Sequence, residues 1–336
     1  MTSDARAAKK RGTRRRRARL LTFATVVFRM RLAYSSDLHV EHHPQVAALV
    51  AARARRLGAD VLVIAGDVGG RSSVIEPALA ALAEGAPKVA YVPGNHDLWC
   101  SAEAEGAPVD DSRTRYLETL PAACARAGVH YLPHGALAAC GITVLGQTGW
   151  YDYSLRDPAL AAAVPVSAYR AGRFGRLAWS DRHFVRWPGC AGDDGRVDDV
   201  ALTAWMAARL RADLAAAPRD RPAVVVTHML PFDGLAARRP LPWGFVRGFL
   251  GARALGDAIV EAATSGLDVA LAIAGHTHFA RRTAVRAGTR LVHAVTSPIG
   301  YPREYKKMGF PDIAALVEHR VKVVDIDVPA HARRAA

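Results

Sequence analysis

Cysteine is scarce in this chain. Its four residues, Cys100, Cys124, Cys140 and Cys190, make no CxxC pair and no zinc-ligand spacing. Four cysteines in 336 residues do not form a disulfide scaffold, so a reducing, cytoplasmic setting is expected. Long hydrophobic runs are also missing: no stretch approaches the ~20 apolar residues of a spanning helix. The nine residues Leu20–Phe28 follow a basic run, and Arg14–Arg17 loosely resembles a twin-arginine signal. Arg29 and Arg31 interrupt the segment, however, and no small-x-small cleavage site follows, which argues against secretion. There is no internal repeat, and no low-complexity segment beyond the N-terminal one.

Charge is abundant but uneven. Residues 1–29 hold ten Lys/Arg against the single acid Asp4, so nine of the fourteen net positive charges sit there. The remaining body is only mildly basic. The high isoelectric point therefore describes the segment, not the body, and does not make the whole chain a nucleic-acid binder. Residues 1–29 are read as a disordered tail. A buried strand opening directly after Met30 makes that methionine a candidate start. The expected body is residues 30–330, followed by a short tail, 331–336.

From Met30 onward, short apolar, β-branched runs alternate with Ala-rich helical patterns. Strands are expected at Arg31–Ser35, Val61–Ala65, Lys88–Val92, Ile142–Leu145, Ala223–Thr227, Val269–Ala274 and Leu291–Val295. Helices are expected at Gln45–Leu57, Ser73–Glu84, Arg113–Ala127, Val197–Ala216 and Arg253–Thr264. Ile313–Glu318 and Val321–Val328 read as a terminal hairpin of edge strands. The alternation argues an α/β fold with sheets inside and helices outside. Residues 148–196 break the rhythm with Trp150, Trp179, Trp187 and several arginines. A loop of this length is usually functional, and a rim around a site is expected there and at 229–247.

Five polar clusters end these strands: Asp37-Leu-His39, Gly66-Asp67, Gly94-Asn95-His96-Asp97, Thr227-His228 and Gly275-His276-Thr277-His278. Sites in open α/β sheets form outside the carboxyl ends of strands, so five such clusters converge on one crevice. Carboxylate, imidazole and amide oxygen suit Mn, Fe or Zn without any thiolate. Asp37 and His39 are two residues apart, as are His276 and His278, so in extended backbone each pair projects to one side. Adjacent Asn95 and His96 point differently and are expected to play different roles. The glycines at 66, 94 and 275 let the backbone turn beside the site. A strand-end Asp or a lone His is commonplace; the ordered set of five is not.

That order, Asp-x-His, Gly-Asp, Gly-Asn-His-Asp, His, Gly-His-x-His, resembles the calcineurin-like metallophosphoesterase superfamily over residues 31 to about 302. The resemblance implies an α/β four-layer sandwich, two facing mixed β-sheets flanked by helices, of the single-domain bacterial type. It implies two metal ions, with Mn the leading expectation and Fe, Zn or Ni as alternatives. Asp37, His39, Asp67 and His278 would hold one ion. Asp67, Asn95, His228 and His276 would hold the other, with Asp67 bridging. His96 matches the histidine beside the leaving group, so the expected catalytic residues are His96, Asp67 and Asn95. Such a pair activates a bridging water for in-line attack on phosphorus. Asp97 is open between orienting His96, orienting a neighbouring loop and a plain turn. Gly66-Asp-Val-Gly-Gly70-Arg-Ser lacks the second aspartate of the protein Ser/Thr phosphatases, which argues against that subgroup. Ser297-Pro-Ile-Gly-Tyr-Pro-Arg-Glu304 resembles a Gly-Tyr-Pro signature of single-domain bacterial members.

His42 and His43 read as surface positions at a helix start. Arg170, Arg173, Arg176, Arg182 and Arg186 read mostly as a solvated face. Trp150-Tyr-Asp-Tyr153 is open between shaping a substrate pocket and packing a long loop. Phe232, Arg238, Arg239 and Trp243 are candidates for specificity. The expected substrate is a small phosphorylated molecule. A metal-dependent nuclease using the basic tail on phosphates is the alternative. A scaffold that lost catalysis ranks last, because no ligand or His96 equivalent is missing.

Overall fold

The computed structural model describes residues 27–100, 111–192 and 195–333. Residues 1–26 of the basic segment, and the last three of the chain, lie outside the described residues.

The early strands are β1 (Val27–Ser35), β2 (Val61–Ala65), β3 (Lys88–Val92), β4 (His130–Tyr131), β5 (Leu137–Ala139) and β6 (Ile142–Gln147). The small hairpin β7 (Arg173–Phe174) and β8 (Leu177–Ala178) lies in the long insert. Then come β9 (Ala223–Thr227), β10 (Val269–Ala274), β11 (Arg281–Ala287), β12 (Arg290–Thr296) and β13 (Lys322–Pro329). One large sheet runs β13-β1-β2-β3-β4 and the other β11-β12-β10-β9-β6-β5. Both are mixed: β1, β2, β3 and β4 are parallel with β13 antiparallel at the edge, and β6, β9, β10 and β12 are parallel between antiparallel β5 and β11.

The central strands are apolar throughout because both faces are covered. In β2, Val61, Val63 and Ala65 join Leu32 of β1 and Val224, Val226 and Ile273 of the other sheet in the core between the sheets. Leu62 and Ile64, pointing the other way, pack with Val46, Val50, Leu79 and Leu82 of helices Val46–Arg56 and Ser72–Ala83. On the far sheet, Val225 and Ala272 face Leu202, Met206, Leu210 and Ile259 of helices Asp199–Ala216 and Arg253–Thr264. This is the four-layer arrangement of two mixed sheets inside two helical layers. No helix among the described residues is long and apolar enough to cross a membrane.

Three expectations need correction. Ile313–Glu318 is not a strand. Residues Ile313–Arg320 form a helix whose N-cap, Asp312, accepts from the Ala315 amide at 2.8 Å. Ile313, Leu316, Val317 and Arg320 are its buried residues, a period of 3.6 that so short an apolar run disguises. Only the second segment extends, as β13 over Lys322–Pro329, and it pairs with β1 rather than in a hairpin. The first strand starts at Val27, three residues before Met30, with Val27, Phe28 and Arg29 opposite Pro329, Val328 and Asp327. Strand β11 escaped notice because Arg281-Arg-Thr-Ala-Val-Arg is charged and half exposed. It is set by a two-residue turn, Gly288-Thr289, that closes a hairpin with β12.

Leu32 is fully buried between the sheets, whereas Leu291 is 52% exposed. Leu32→Ala is expected to cost about 2–5 kcal/mol from lost burial plus the cavity left behind. Leu291→Ala should stay within about 0.5 kcal/mol. Urea unfolding of the two variants checks this.

Candidate metal centre

The five clusters lie at one edge of the molecule because β1, β2 and β3 are neighbours in one sheet and β9 and β10 in the other, all ending the same way. Backbone bonds join the loops. His39 N donates to Asp67 O at 3.1 Å, and Gly275 N to His228 O at 3.0 Å. Across the sheets, His276 N donates to Asp37 Oδ1 at 2.9 Å. The residues expected as ligands come together: Asp37 with His39 and His278, and Asp67 with His228 and His276. Asn95 joins the second group through its Oδ1, 3.0 Å from His228 Nε2 and 2.9 Å from His276 Nδ1. Asp67 faces both groups, with Oδ1 3.4 Å from His228 Nε2 and Oδ2 3.8 Å from His39 Nε2.

The backbone differs from the extended form assumed for the Asp-x-His and His-x-His pairs. Asp37, His39, Asp67, His276 and His278 have φ of +54°, +45°, +55°, +71° and +52°. Each left-handed non-glycine residue costs on the order of 1–3 kcal/mol and persists only where its surroundings impose it. Five of the seven such residues described are in this cluster. The glycines act by close approach rather than by turning alone. A Cβ on Gly94 would lie 2.1 Å from Asp67 Oδ1, and one on Gly66 would lie 2.3 Å from His228 Nδ1.

The hydrogen bonds define which ring nitrogen of each histidine faces the centre. His228 Nδ1 donates to Ala65 O at 2.8 Å, leaving Nε2 toward the centre. His276 Nε2 donates to Phe249 O at 3.2 Å, leaving Nδ1. His278 Nδ1 donates to Glu304 Oε2 at 2.8 Å, leaving Nε2, which lies 3.0 Å from His39 Nε2. His276 Nδ1 and Asn95 Oδ1 thus meet as two acceptors at 2.9 Å in a buried place, a repulsive arrangement unless a cation sits between them. Outer partners that fix the ring and its tautomer are typical of metal-binding histidines. His39 Nδ1 is buried without a partner.

Burial presses on every group. It lowers His39 well below the usual histidine range and takes His276 to about 3, with the charge of His228 adding to the effect at His276. Burial also opposes charge on Asp67, but His228, His96 and His39 outweigh it and hold that carboxyl well below its ordinary value. His228 reaches about 9: burial alone would lower it, yet Asp67 and Asp37 draw a proton to it. The same negative field suits metal cations, and the oxygen and imidazole donors fit them.

His96 stands beside this cluster. Its amide donates to Asp67 Oδ1 at 2.9 Å and its ring stacks on Trp99 at 3.7 Å between centroids. Its Nε2 is 3.4 Å from the Tyr301 hydroxyl. Asp97 does not orient His96. It is fully buried and accepts from Gly69 N at 2.9 Å and Gly94 N at 2.7 Å, tying the Asp67 loop to the Asn95 loop.

Sequence reasoning passed over Glu304 and Asp181. Glu304 was visible only inside the Gly-Tyr-Pro segment. It caps helix Pro302–Lys307 by accepting from Tyr301 N at 2.8 Å while it orients His278; a Pro at N1 with Glu at N3 is a helix-start signal. Asp181 accepts from Asn95 Nδ2 at 2.8 Å and carries no motif. His42 is exposed, as are Arg170, Arg173, Arg176 and Arg186. Trp150 is fully buried and donates to Asp199 at 2.8 Å, a packing role. Beside the centre, Trp179, Arg239, Trp243, His276, His278 and Phe279 line a cavity of about 250 Å³.

The profile of the calcineurin-like phosphoesterase family matches residues 30–280, and the chain belongs to that family. It is a hydrolase of phosphoester bonds, metal-dependent as its family is. Among solved structures, the phosphopantetheinyl hydrolase of Mycobacterium tuberculosis is similar at a TM-score of 0.63 and 23% identity, covering 88% of this chain and 96% of that one. A dimetal phosphatase from Danio rerio is similar at a TM-score of 0.44 and 14% identity, covering 80% and 86%. No curated protein matches the chain.

Gly94→Ala places a methyl group against the Asp67 carboxylate and is expected to weaken Mn²⁺ binding by about tenfold or more, the scale on which a misplaced ligand acts. Titration of the metal-stripped variant with Mn²⁺, alongside near-ultraviolet circular dichroism as a check of folding, measures this.

Proposed function

We propose that the centre holds two divalent cations, one through Asp37, His39, Asp67 and His278 and one through Asp67, Asn95, His228 and His276. The protein then hydrolyses a phosphomonoester or phosphodiester by in-line attack of water on phosphorus. The observation that carries this reading is the convergence of inward-facing ring nitrogens with Asn95 Oδ1 and both Asp67 oxygens in one buried space. A metal pair in such a site lowers the pKa of water and clamps phosphate oxygens. Mn is the leading candidate, and Fe, Zn and Ni suit the same donors.

The chain's own residues divide the work. Asp67 places one oxygen toward each group of ligands, so it is the bridging carboxylate. Glu304 holds His278 with Nε2 inward, and the Ala65 and Phe249 carbonyls do the same for His228 and His276. His96 is attached to the centre through its backbone and stacked on Trp99, which leaves its imidazole free to protonate the departing oxygen. The cavity beside His276 and His278 supports a substrate larger than a bare phosphate. Its aromatic wall suits an apolar segment and Arg239 a further negative group. A phosphopantetheinyl ester, the substrate type in the name of the Mycobacterium tuberculosis hydrolase, belongs among the compounds tested. The nuclease alternative rested on the basic segment, of which residues 1–26 lie outside the described residues.

Two variants test the division. Asp67→Asn should lose metal and nearly all activity on every substrate, since a shared negative ligand is removed from between two cations. His96→Ala should keep its metal. Acid assistance is worth about 10²–10⁴-fold, but p-nitrophenolate departs readily without a proton. The rate loss should therefore be small on a p-nitrophenyl ester and large on an alkyl phosphate. Equal losses on both esters with metal retained would refute the acid role, and loss of metal would refute the ligand assignment.

A further inference from the structure

Asp181 opens the short helix Asp181–Phe184 in the long insert and is 1% exposed. Four donors converge on its carboxylate. Oδ1 accepts from Asn95 Nδ2 and from Trp99 Nε1, both at 2.8 Å. Oδ2 accepts from Trp179 Nε1 at 2.9 Å and from the Tyr151 hydroxyl at 3.2 Å. Both oxygens are occupied by the protein, so this carboxylate is a partner of the metal centre and not one of its ligands.

An asparagine side chain has nearly the same shape with its oxygen and nitrogen exchanged, and only the oxygen can bind a cation. Before metal arrives, the exchanged form has one local attraction at position 95. Its NH₂ would donate to the free Nδ1 of His276, which now faces Oδ1 at 2.9 Å. That form would satisfy His276 and turn the oxygen away from the metal site. Asp181 opposes it, because exchange would set Asn95 Oδ1 against a buried carboxylate oxygen and leave two acceptors unpaired. The insert cannot easily release Asp181, since Trp99, Trp179 and Tyr151 hold it from three other directions.

We propose that Asp181 is a positioning residue that locks the Asn95 amide with its oxygen toward the metal site, so that the 148–196 insert governs metal affinity at one of the two sites. The inference rests on the reading of Asn95 as a ligand. The same Asp181 oxygen holds Trp99, on which His96 stacks, so the lock also joins the insert to the platform under His96.

Metal-stripped protein titrated with Mn²⁺ alone separates the two sites, and Asn95→Ala identifies which binding step belongs to Asn95. Asp181→Ala should weaken that step by about 10–100-fold, the usual effect of removing an outer-shell partner, and leave the other step unchanged. Asp181→Asn still offers an oxygen to Asn95 Nδ2 and should recover most of the affinity. In the Asn95→Ala background, Asp181→Ala should add less than about twofold, since the residue it acts through is gone. If Asp181→Ala does not fold, Asp181→Leu fills the same volume without an acceptor and serves in its place. A normal Asn95 step in Asp181→Ala, or an equal fall in both steps, overturns the proposal. If instead Asn95→Ala leaves both steps intact, the ligand assignment itself is wrong, and Asp181 has no metal-binding role.

Discussion

Everything near the active edge answers to one electrostatic demand: a pair of buried carboxylates and a ring of buried imidazoles crowded to hydrogen-bond distance. Asp37 and Asp67 are essentially excluded from water, and so are His39 and His228. A buried carboxylate facing inward-turned imidazole nitrogens is costly unless positive charge is supplied. The nearby backbone does not supply it. Carbonyls of Ala65 and Phe249 take the outward N–H groups, which turns more lone pairs inward. Metal ions held there would relieve the crowding, as the metal dependence of the family requires.

Holding such a cluster together needs a stiff frame. Five of its residues lie in the left-handed region, where loops on their own would not remain. The frame is the pair of sheets whose parallel strands end side by side, fixed by bonds such as His276 N to Asp37 Oδ1 and by Asp97 between two loops. Gly94 and Gly66 are required by proximity: the loops approach so closely that a methyl group would collide with Asp67 Oδ1 or His228 Nδ1. Strain, glycine and close packing are consequences of the same need to bring polar groups from five strand ends together in one buried place.

The strands that carry the site were legible because they are almost wholly buried and read as short apolar runs. Val61–Ala65, Lys88–Val92, Ala223–Thr227 and Val269–Ala274 have the same bounds in the sequence reading and the structure. Legibility failed where periodicity was short or charge was high. Ile313–Arg320 has too few apolar residues to separate a period of two from 3.6, and its partner is helix Val46–Arg56, distant in sequence. Strand β11 carries three arginines and covers the edge of a sheet, so its partner β12 decides its conformation. The two chief outer-shell carboxylates differ in the same way. Glu304 lies in a recognisable helix start, whereas Asp181 is an ordinary residue until the insert folds back.

The sequence by itself determined the α/β class and the chemical identity of the site, because burial patterns and polar clusters at strand ends are local properties of the chain. Tertiary structure alone decided how those groups face one another: the left-handed backbone of Asp-x-His and His-x-His, the tautomer of each histidine, and the meeting of Asn95 with Asp181, 86 residues away. Those are set by hydrogen-bond partners from other strands and from the insert. A ring nitrogen or an amide oxygen has no preferred direction until such a partner is in place.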